Sequence, residues 1–167
     1  MIRATARKIC MLGDFGVGKT SLVARYVHGT FSEKYLTTVG VKVDTCQVAR
    51  PDGTDCKLVV WDMAGRNGVD ALAASYLRGA SGLLLVADGT RAATLRTALD
   101  LLMQARAVVP DAAAVLMLNK LDLIEHWEIE PLTVAELRNS LPVFETSALS
   151  GDGVARAFAT LTAELPA

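Results

Sequence analysis

Eight residues near the start of the chain, Gly13-Asp14-Phe15-Gly16-Val17-Gly18-Lys19-Thr20, fit the pattern GxxxxGK[ST]. They lie between a β-rich run, Lys8 to Leu12, and a helical stripe carrying Leu22, Val23, Tyr26 and Val27. Strand, glycine-rich turn and helix in that order place a helix N-terminus at the carboxyl end of a strand. Glycines let successive N–H groups turn inward there, and the helix dipole favours anions, so the segment suits a polyphosphate. Lys19 adds a mobile cation, Thr20 an oxygen for Mg²⁺, and Ser21 continues the first turn. The alternative is a glycine-rich turn with a chance Lys-Thr, which average residue frequencies produce in under about 1% of chains this long.

Apolar periodicity along the rest of the chain alternates between short β-rich runs and helical stripes. Strands are predicted at about 6–12, 41–49, 56–61, 82–88, 113–118 and 142–145. Leu95, Leu99 and Leu102, and then Val154, Phe158, Leu161 and Leu165, recur at steps of three and four and mark one helix face each. Further helices are predicted at about 19–28, 68–78 and 133–140. Pro51-Asp52-Gly53 reads as a hairpin turn that makes strand 41–49 antiparallel. The predicted fold is α/β: a six-stranded, mostly parallel sheet with one antiparallel strand and helices on both faces. No linker or repeat divides residues 1–167, so a single domain is expected.

Charge and composition narrow the partners. A net charge of −1 without charge blocks gives no electrostatic footprint for nucleic acid or an anionic membrane. The N-terminus lacks a signal-peptide core, and apolar stretches such as Leu83 to Ala87 are too short to span a bilayer, so a cytoplasmic protein is expected. Cys10, Cys46 and Cys56 lie in strand-like segments without zinc spacing and read as reduced packing residues. His28, near a helix end, and His126, in an expected loop, have no evident catalytic partner.

Two further motifs close strand runs. Asn119-Lys120-Leu121-Asp122 follows the run Ala112 to Leu118, and Glu145-Thr146-Ser147-Ala148 follows Leu141 to Phe144, with Leu149 next. Open α/β sheets bind ligands at the carboxyl ends of their strands, so these loops converge with the phosphate loop. The Asp122 carboxylate matches the two N–H donors on guanine's Watson–Crick edge, where adenine presents an acceptor and a C–H. A backbone N–H near Ala148 suits O6 and opposes an adenine amino group. Buried polar complementarity of this kind discriminates by about 10⁴-fold or more. Taken alone, Asn119 to Asp122 is also compatible with a helix-capping loop.

With these motifs in order, the chain resembles the Ras superfamily of small GTPases, and most closely its Rab branch. The resemblance spans nearly the whole chain. It rests on the phosphate loop, Thr38-Val39-Gly40-Val41, Trp61-Asp62-Met63-Ala64-Gly65, Ser75-Tyr76-Leu77-Arg78-Gly79-Ala80, Asn119-Lys120-Leu121-Asp122 and Ser147-Ala148. It implies GTP or GDP bound with Mg²⁺, held by Thr20, by Thr38 in the GTP state and by Asp62 through water. A hard cation that prefers oxygen ligands suits that set. It also implies that Gly65 offers its N–H to the γ-phosphate, that Phe31 packs on the base and that Tyr35 covers the phosphates. The switch segments would be about 32–42 and 62–78, released when the γ-phosphate leaves. An effector, exchange factor or activating protein would read them.

The chain departs from that pattern at two catalytic positions. Arg66 stands where the family usually carries the water-orienting Gln, and Phe15 where a small residue is usual. Lys19, Thr38, Gly65 and Arg66 form the expected catalytic set. Arg66 itself has three open readings: a solvated residue in a slow hydrolase, a built-in arginine finger, or a partner contact. Asn67 offers a weaker alternative for placing water. No cysteine follows Cys56, so no lipid anchor is expected, and alanine richness with no tail beyond Ala167 would suit a prokaryotic relative or a trimmed chain. A soluble monomer with slow GTP hydrolysis is the resulting expectation. A permanently loaded scaffold and a P-loop small-molecule kinase are the rivals; the Asn119 to Asp122 motif and the lack of an arginine-rich lid argue against the kinase.

Overall fold

A computed structural model describes residues 4–34, 38, 40–63 and 73–167. The described elements run β1 (Thr5–Gly13), α1 (Lys19–His28), β2 (Val41–Ala49), β3 (Asp55–Met63), α2 (Ala74–Leu77), β4 (Ala80–Asp88) and α3 (Ala92–Val108). They continue with β5 (Ala113–Asn119), a 3-10 helix (Leu121–His126), α4 (Pro131–Leu137), β6 (Val143–Glu145) and α5 (Val154–Glu164). The six strands form one sheet in the order β2-β3-β1-β4-β5-β6. Every neighbouring pair is parallel except β2 with β3, which run antiparallel from Val41 opposite Met63 to Ala49 opposite Asp55. The expected α/β architecture is therefore present. The β2–β3 turn closes through Arg50 N–H to Thr54 O at 2.8 Å and Gly53 N–H to Arg50 O at 2.9 Å.

Alternate residues of the central strands feed two cores, as a period of two requires when both sheet faces are covered. Cys10, Leu12, Leu83, Leu85, Leu116 and Leu118 meet Leu95, Ala98 and Leu102 of α3 on one face. Ile9, Met11, Leu84, Val86, Val115 and Met117 meet Leu22 and Val23 of α1 and Phe158 and Leu161 of α5 on the other. Phe158 is fully buried and stacks on Tyr26 with ring centroids 3.8 Å apart, tying α5 to α1. Burying a side chain of that size contributes about 1.5–3 kcal/mol. Desolvation in this layer raises the Tyr26 hydroxyl to about 12, so it stays protonated.

Element edges differ from expectation in instructive ways. The helix expected at 133–140 is α4, Pro131–Leu137. Pro131 occupies the first turn, where its missing N–H costs nothing, and three-residue turns from Asn139 to Glu136 and from Ser140 to Leu137 end the helix early. Of the helix expected at 68–78, the described part is α2; residues 64–72 lie outside the described residues. His126, expected in a loop, instead ends the 3-10 helix. The three cysteines sit on β1, β2 and β3 as free thiols, Cys10 and Cys56 buried, and burial pushes the Cys10 thiol up to about 11.

The strand order positions the site. Connections from β1 run through α1 on one face toward β3, whereas those from β4 run through α3 on the opposite face toward β5. The direction of winding reverses at β1, and a crevice opens beyond its carboxyl end. The phosphate loop fills that end.

Candidate nucleotide site

Five successive carbonyls of the phosphate loop are held by side chains. Lys19 Nζ donates to Gly13 O at 3.1 Å and Asp14 O at 2.9 Å. Arg91 Nη2 donates to Phe15 O at 2.8 Å, Lys120 Nζ to Gly16 O at 3.0 Å, and Asn119 Nδ2 to Val17 O at 3.0 Å. Trans peptides place each N–H opposite the preceding carbonyl, so fixing the carbonyls fixes the donors. Among the described residues, the N–H groups of Gly16 through Lys19 have no protein acceptor, which leaves them for an anion at the start of α1. Gly18 has φ +100°, and a Cβ there would run into Asn119 Nδ2, so only glycine lets the loop approach β5.

Three oxygens predicted for metal come together beside the loop. Thr20 Oγ1 donates to Asp62 Oδ2 at 2.6 Å and also contacts Thr38 Oγ1. Asp62 Oδ1 is buried with no hydrogen-bond partner. Burial pushes the Asp62 carboxyl up, opposed by Thr20, Lys19 and Lys42 and reinforced by Asp44. Burial likewise pulls the Lys19 ammonium down to about 8, against the pull of Asp62 and Asp14. A buried carboxylate with an orphaned oxygen, flanked by two hydroxyls, fits a hard cation: Mg²⁺ there would give Oδ1 a partner, directly or through water.

Opposite the phosphate loop, Ser147 Oγ donates to Asp122 Oδ1 at 2.8 Å, and Asp122 Oδ2 has no protein partner among the described residues. Thr146 Oγ1 donates to Asn119 Oδ1 at 3.2 Å, so Asn119 joins the phosphate and base loops. Lys120 sits at φ 72°, the one non-glycine left-handed residue among those described. That conformation costs about 1–3 kcal/mol and persists where surroundings over-determine it. Here Trp127 Nε1 donates to Lys120 O at 2.8 Å, while Lys120 Nζ is held by Gly16 O and by Asp88 Oδ2 at 2.7 Å.

A cavity of about 460 Å³ joins these parts. Of the predicted residues, Phe15, Gly16, Gly18, Lys19, Thr20, Ser21, Phe31, Thr38, Asn119, Lys120, Asp122, Ala148 and Leu149 line it. Gly13, Asp14, Val17, Asp62 and Ser147 stand behind the lining and act through the contacts just given. Tyr35, Gly65 and Arg66 lie outside the described residues. Ser32, Glu33, Lys34 and Met63, within the expected switch segments but without a role of their own there, also line the cavity, and so do Ala24 and Leu123, which were not read from sequence. Nor were the supports Arg25, Asp88, Arg91 and Trp127, which belong to no motif used above. Asp88 had one available signal, its place at the carboxyl end of β4 on the ligand edge.

The strand-loop-helix cradle and the two base-side loops define a P-loop nucleotide-binding α/β domain. The Ras family model matches residues 8–167, and the chain belongs to the Ras family. It is thus a small GTPase of the GTP-binding switch type.

Proposed function

We propose that this chain is a guanine-nucleotide switch that holds GTP or GDP with Mg²⁺ and cleaves GTP slowly. One observation carries the reading. Asp122, oriented by Ser147, lies in the same cavity as the open donors of the phosphate loop, which supports binding of a guanine base and its polyphosphate together. Thr20, Thr38 and Asp62 would hold the metal, which supplies charge neutralisation at the phosphates. Lys19 would leave its two loop carbonyls for phosphate oxygens. Phe31 would pack on the base, as Tyr35 and Gly65 would serve the phosphates by family analogy.

We place the chain nearest the Rab branch on the Ser75 to Ala80 segment and the order of its motifs, and read it as one cytoplasmic, monomeric domain. Among the described residues no helix is long and apolar enough to cross a membrane. Residues 32–42 and 62–78 would report the nucleotide state to an effector, exchange factor or activating protein. Slow cleavage is supported by Arg66 in place of the usual Gln and by Phe15, 38% exposed on the cavity wall. The test is to denature purified protein, identify the released nucleotide, and follow single-turnover GTP cleavage. Guanine nucleotide with slow cleavage is expected; adenine nucleotide, or no nucleotide and no binding on reconstitution, overturns the reading.

A further inference from the structure

Arg25 lies in the second turn of α1, yet its guanidinium faces the base-side loop 123 residues away. Nε donates to Ala148 O at 2.8 Å and Nη2 to Leu149 O at 2.6 Å, while Nη1 reaches Gly29 O at 3.4 Å. Two N–H groups of one rigid fork thus hold two consecutive carbonyls. That arrangement fixes peptide planes as well as positions.

We propose that Arg25 is a positioning residue for base recognition, setting how strongly the site discriminates for an oxygen at position 6 of the purine. The proposal rests on the guanine reading above. Across a trans peptide the N–H points away from the carbonyl, so holding Ala148 O on Arg25 turns the Leu149 N–H toward the opposite side. The next peptide shows the same logic: with Leu149 O on Arg25, Ser150 N–H points back to Ser147 Oγ at 3.1 Å. Ser147 Oγ in turn donates to Asp122. The N–H groups of Ala148 and Leu149 have no protein acceptor among the described residues, and both residues line the cavity. Arg25 therefore pre-aims the Leu149 N–H to meet a 6-oxo group and repel a 6-amino group, beside the Ala148 N–H, whose own peptide carbonyl, Ser147 O, accepts from Gly151 N–H at 2.8 Å. Without it those peptides are free to rotate, and pre-organisation is lost while the carboxylate of Asp122 remains.

The experiment compares wild-type chain with Arg25→Ala, Arg25→Gln and Arg25→Lys, measuring Kd for GDP, IDP and 2-aminopurine riboside diphosphate, with Tm as a folding control. The 2-aminopurine nucleotide lacks the 6-oxo group and with it the N1–H, whereas IDP keeps both and lacks only the 2-amino group. Because Asp122 is the same in every variant, a change of the GDP to 2-aminopurine ratio on altering Arg25 reports the 6-oxo contact. In wild type GDP should bind far more tightly than the 2-aminopurine nucleotide. Arg25→Ala should shrink that ratio by about 10-fold or more, the scale of one well-aimed hydrogen bond. Arg25→Lys, which can hold one carbonyl, should fall between. The GDP to IDP ratio should stay unchanged, because both carry the 6-oxo group. Equal weakening of all three nucleotides, or an unchanged ratio in both Arg25→Ala and Arg25→Gln, overturns the proposal alone. Failure of wild type to prefer GDP over the 2-aminopurine nucleotide overturns the guanine reading as well.

Discussion

Lys120 Nζ lies 2.7 Å from Asp88 Oδ2, and the same ammonium reaches Gly16 O at 3.0 Å, so one buried carboxylate on β4 sets the distance between base loop and phosphate loop. Asp88 is 1% exposed and also accepts from Arg91 Nε at 3.1 Å, whose other end holds Phe15 O. Thr90 supplies N–H and Oγ1 donors to Oδ1 at 2.9 and 2.7 Å. A single side chain thereby secures two successive phosphate-loop carbonyls through two different cations.

A pH dependence follows from that hub. Burial, the largest influence, would raise the Asp88 carboxyl, but hydrogen bonds from Lys120, Thr90 and Arg91 outweigh it and hold it below its ordinary value of 3.8. A depressed folded-state value contributes stability that is fully present above the unfolded-state value and is lost as pH falls through the folded-state value. Asp88→Asn should therefore cost about 2–3 kcal/mol near pH 7, since buried carboxylate contacts are charge-assisted and partly desolvated. The gap from wild type should narrow below about pH 4. Denaturant unfolding at saturating GDP across pH checks it; a gap that is constant down to acid pH contradicts the assignment.

Base choice should be transferable by one atom exchange. Asp122 Oδ1 is engaged by Ser147 Oγ and Oδ2 is open among the described residues. Asp122→Asn replaces an acceptor by a donor, which should weaken GDP by about 10²-fold or more and favour xanthosine diphosphate, whose 2-oxo group accepts. Competition binding with GDP, xanthosine diphosphate and ADP reads the change. Comparable affinity of wild type for ADP and GDP is the contrary result.

Metal dependence should centre on the Thr20–Asp62 pair. Chelating Mg²⁺ should speed GDP release, because Thr20 Oγ1 and the buried Asp62 Oδ1 would lose the cation proposed to sit between them and the diphosphate. Thr20→Asn should weaken Mg²⁺-GTP more than GDP, since the triphosphate leans more heavily on metal. Release rates with and without chelator, for wild type and Thr20→Asn, decide it; a wild-type rate indifferent to chelation rules out this metal site.

Motifs with fixed spacing were legible in the sequence because each carries its own geometry. Glycines at that spacing before Lys19 and Thr20 specify a phosphate loop far more often than a chance turn, the alternation of strand and helix periods gives the sheet, and the Pro51-Asp52-Gly53 turn marks its antiparallel edge. Arg25, Asp88, Arg91 and Trp127 were not legible, because their roles exist only after distant segments meet: Arg25 acts on Ala148, and Arg91 on Phe15. No local pattern distinguishes such an arginine from a solvated one. The helix expected at 19–28 has those bounds, whereas the end of α4 missed for a related reason, since it is set by competing three-residue turns rather than by periodicity.

Slow hydrolysis is the remaining expectation, and its warrant divides between two residues. Phosphoryl transfer depends on placing water in line and on stabilising spreading charge, so loss of a water-orienting amide lowers the rate even where binding is intact. Arg66 stands at the position where the family resemblance would place that amide. Phe15 lines the cavity with its carbonyl fixed by Arg91, so its backbone cannot swing the ring aside without breaking that bond. Arg66→Gln should raise the single-turnover rate. Phe15→Gly should add little alone but admit a partner's arginine, a contribution of roughly 10³–10⁵-fold in this chemistry. If Arg66 instead serves as a built-in finger, Arg66→Gln and Arg66→Ala should both slow cleavage, because each removes the cation. Single-turnover rates of the three variants beside wild type separate these outcomes, and a fast wild-type rate unchanged in Arg66→Ala defeats both.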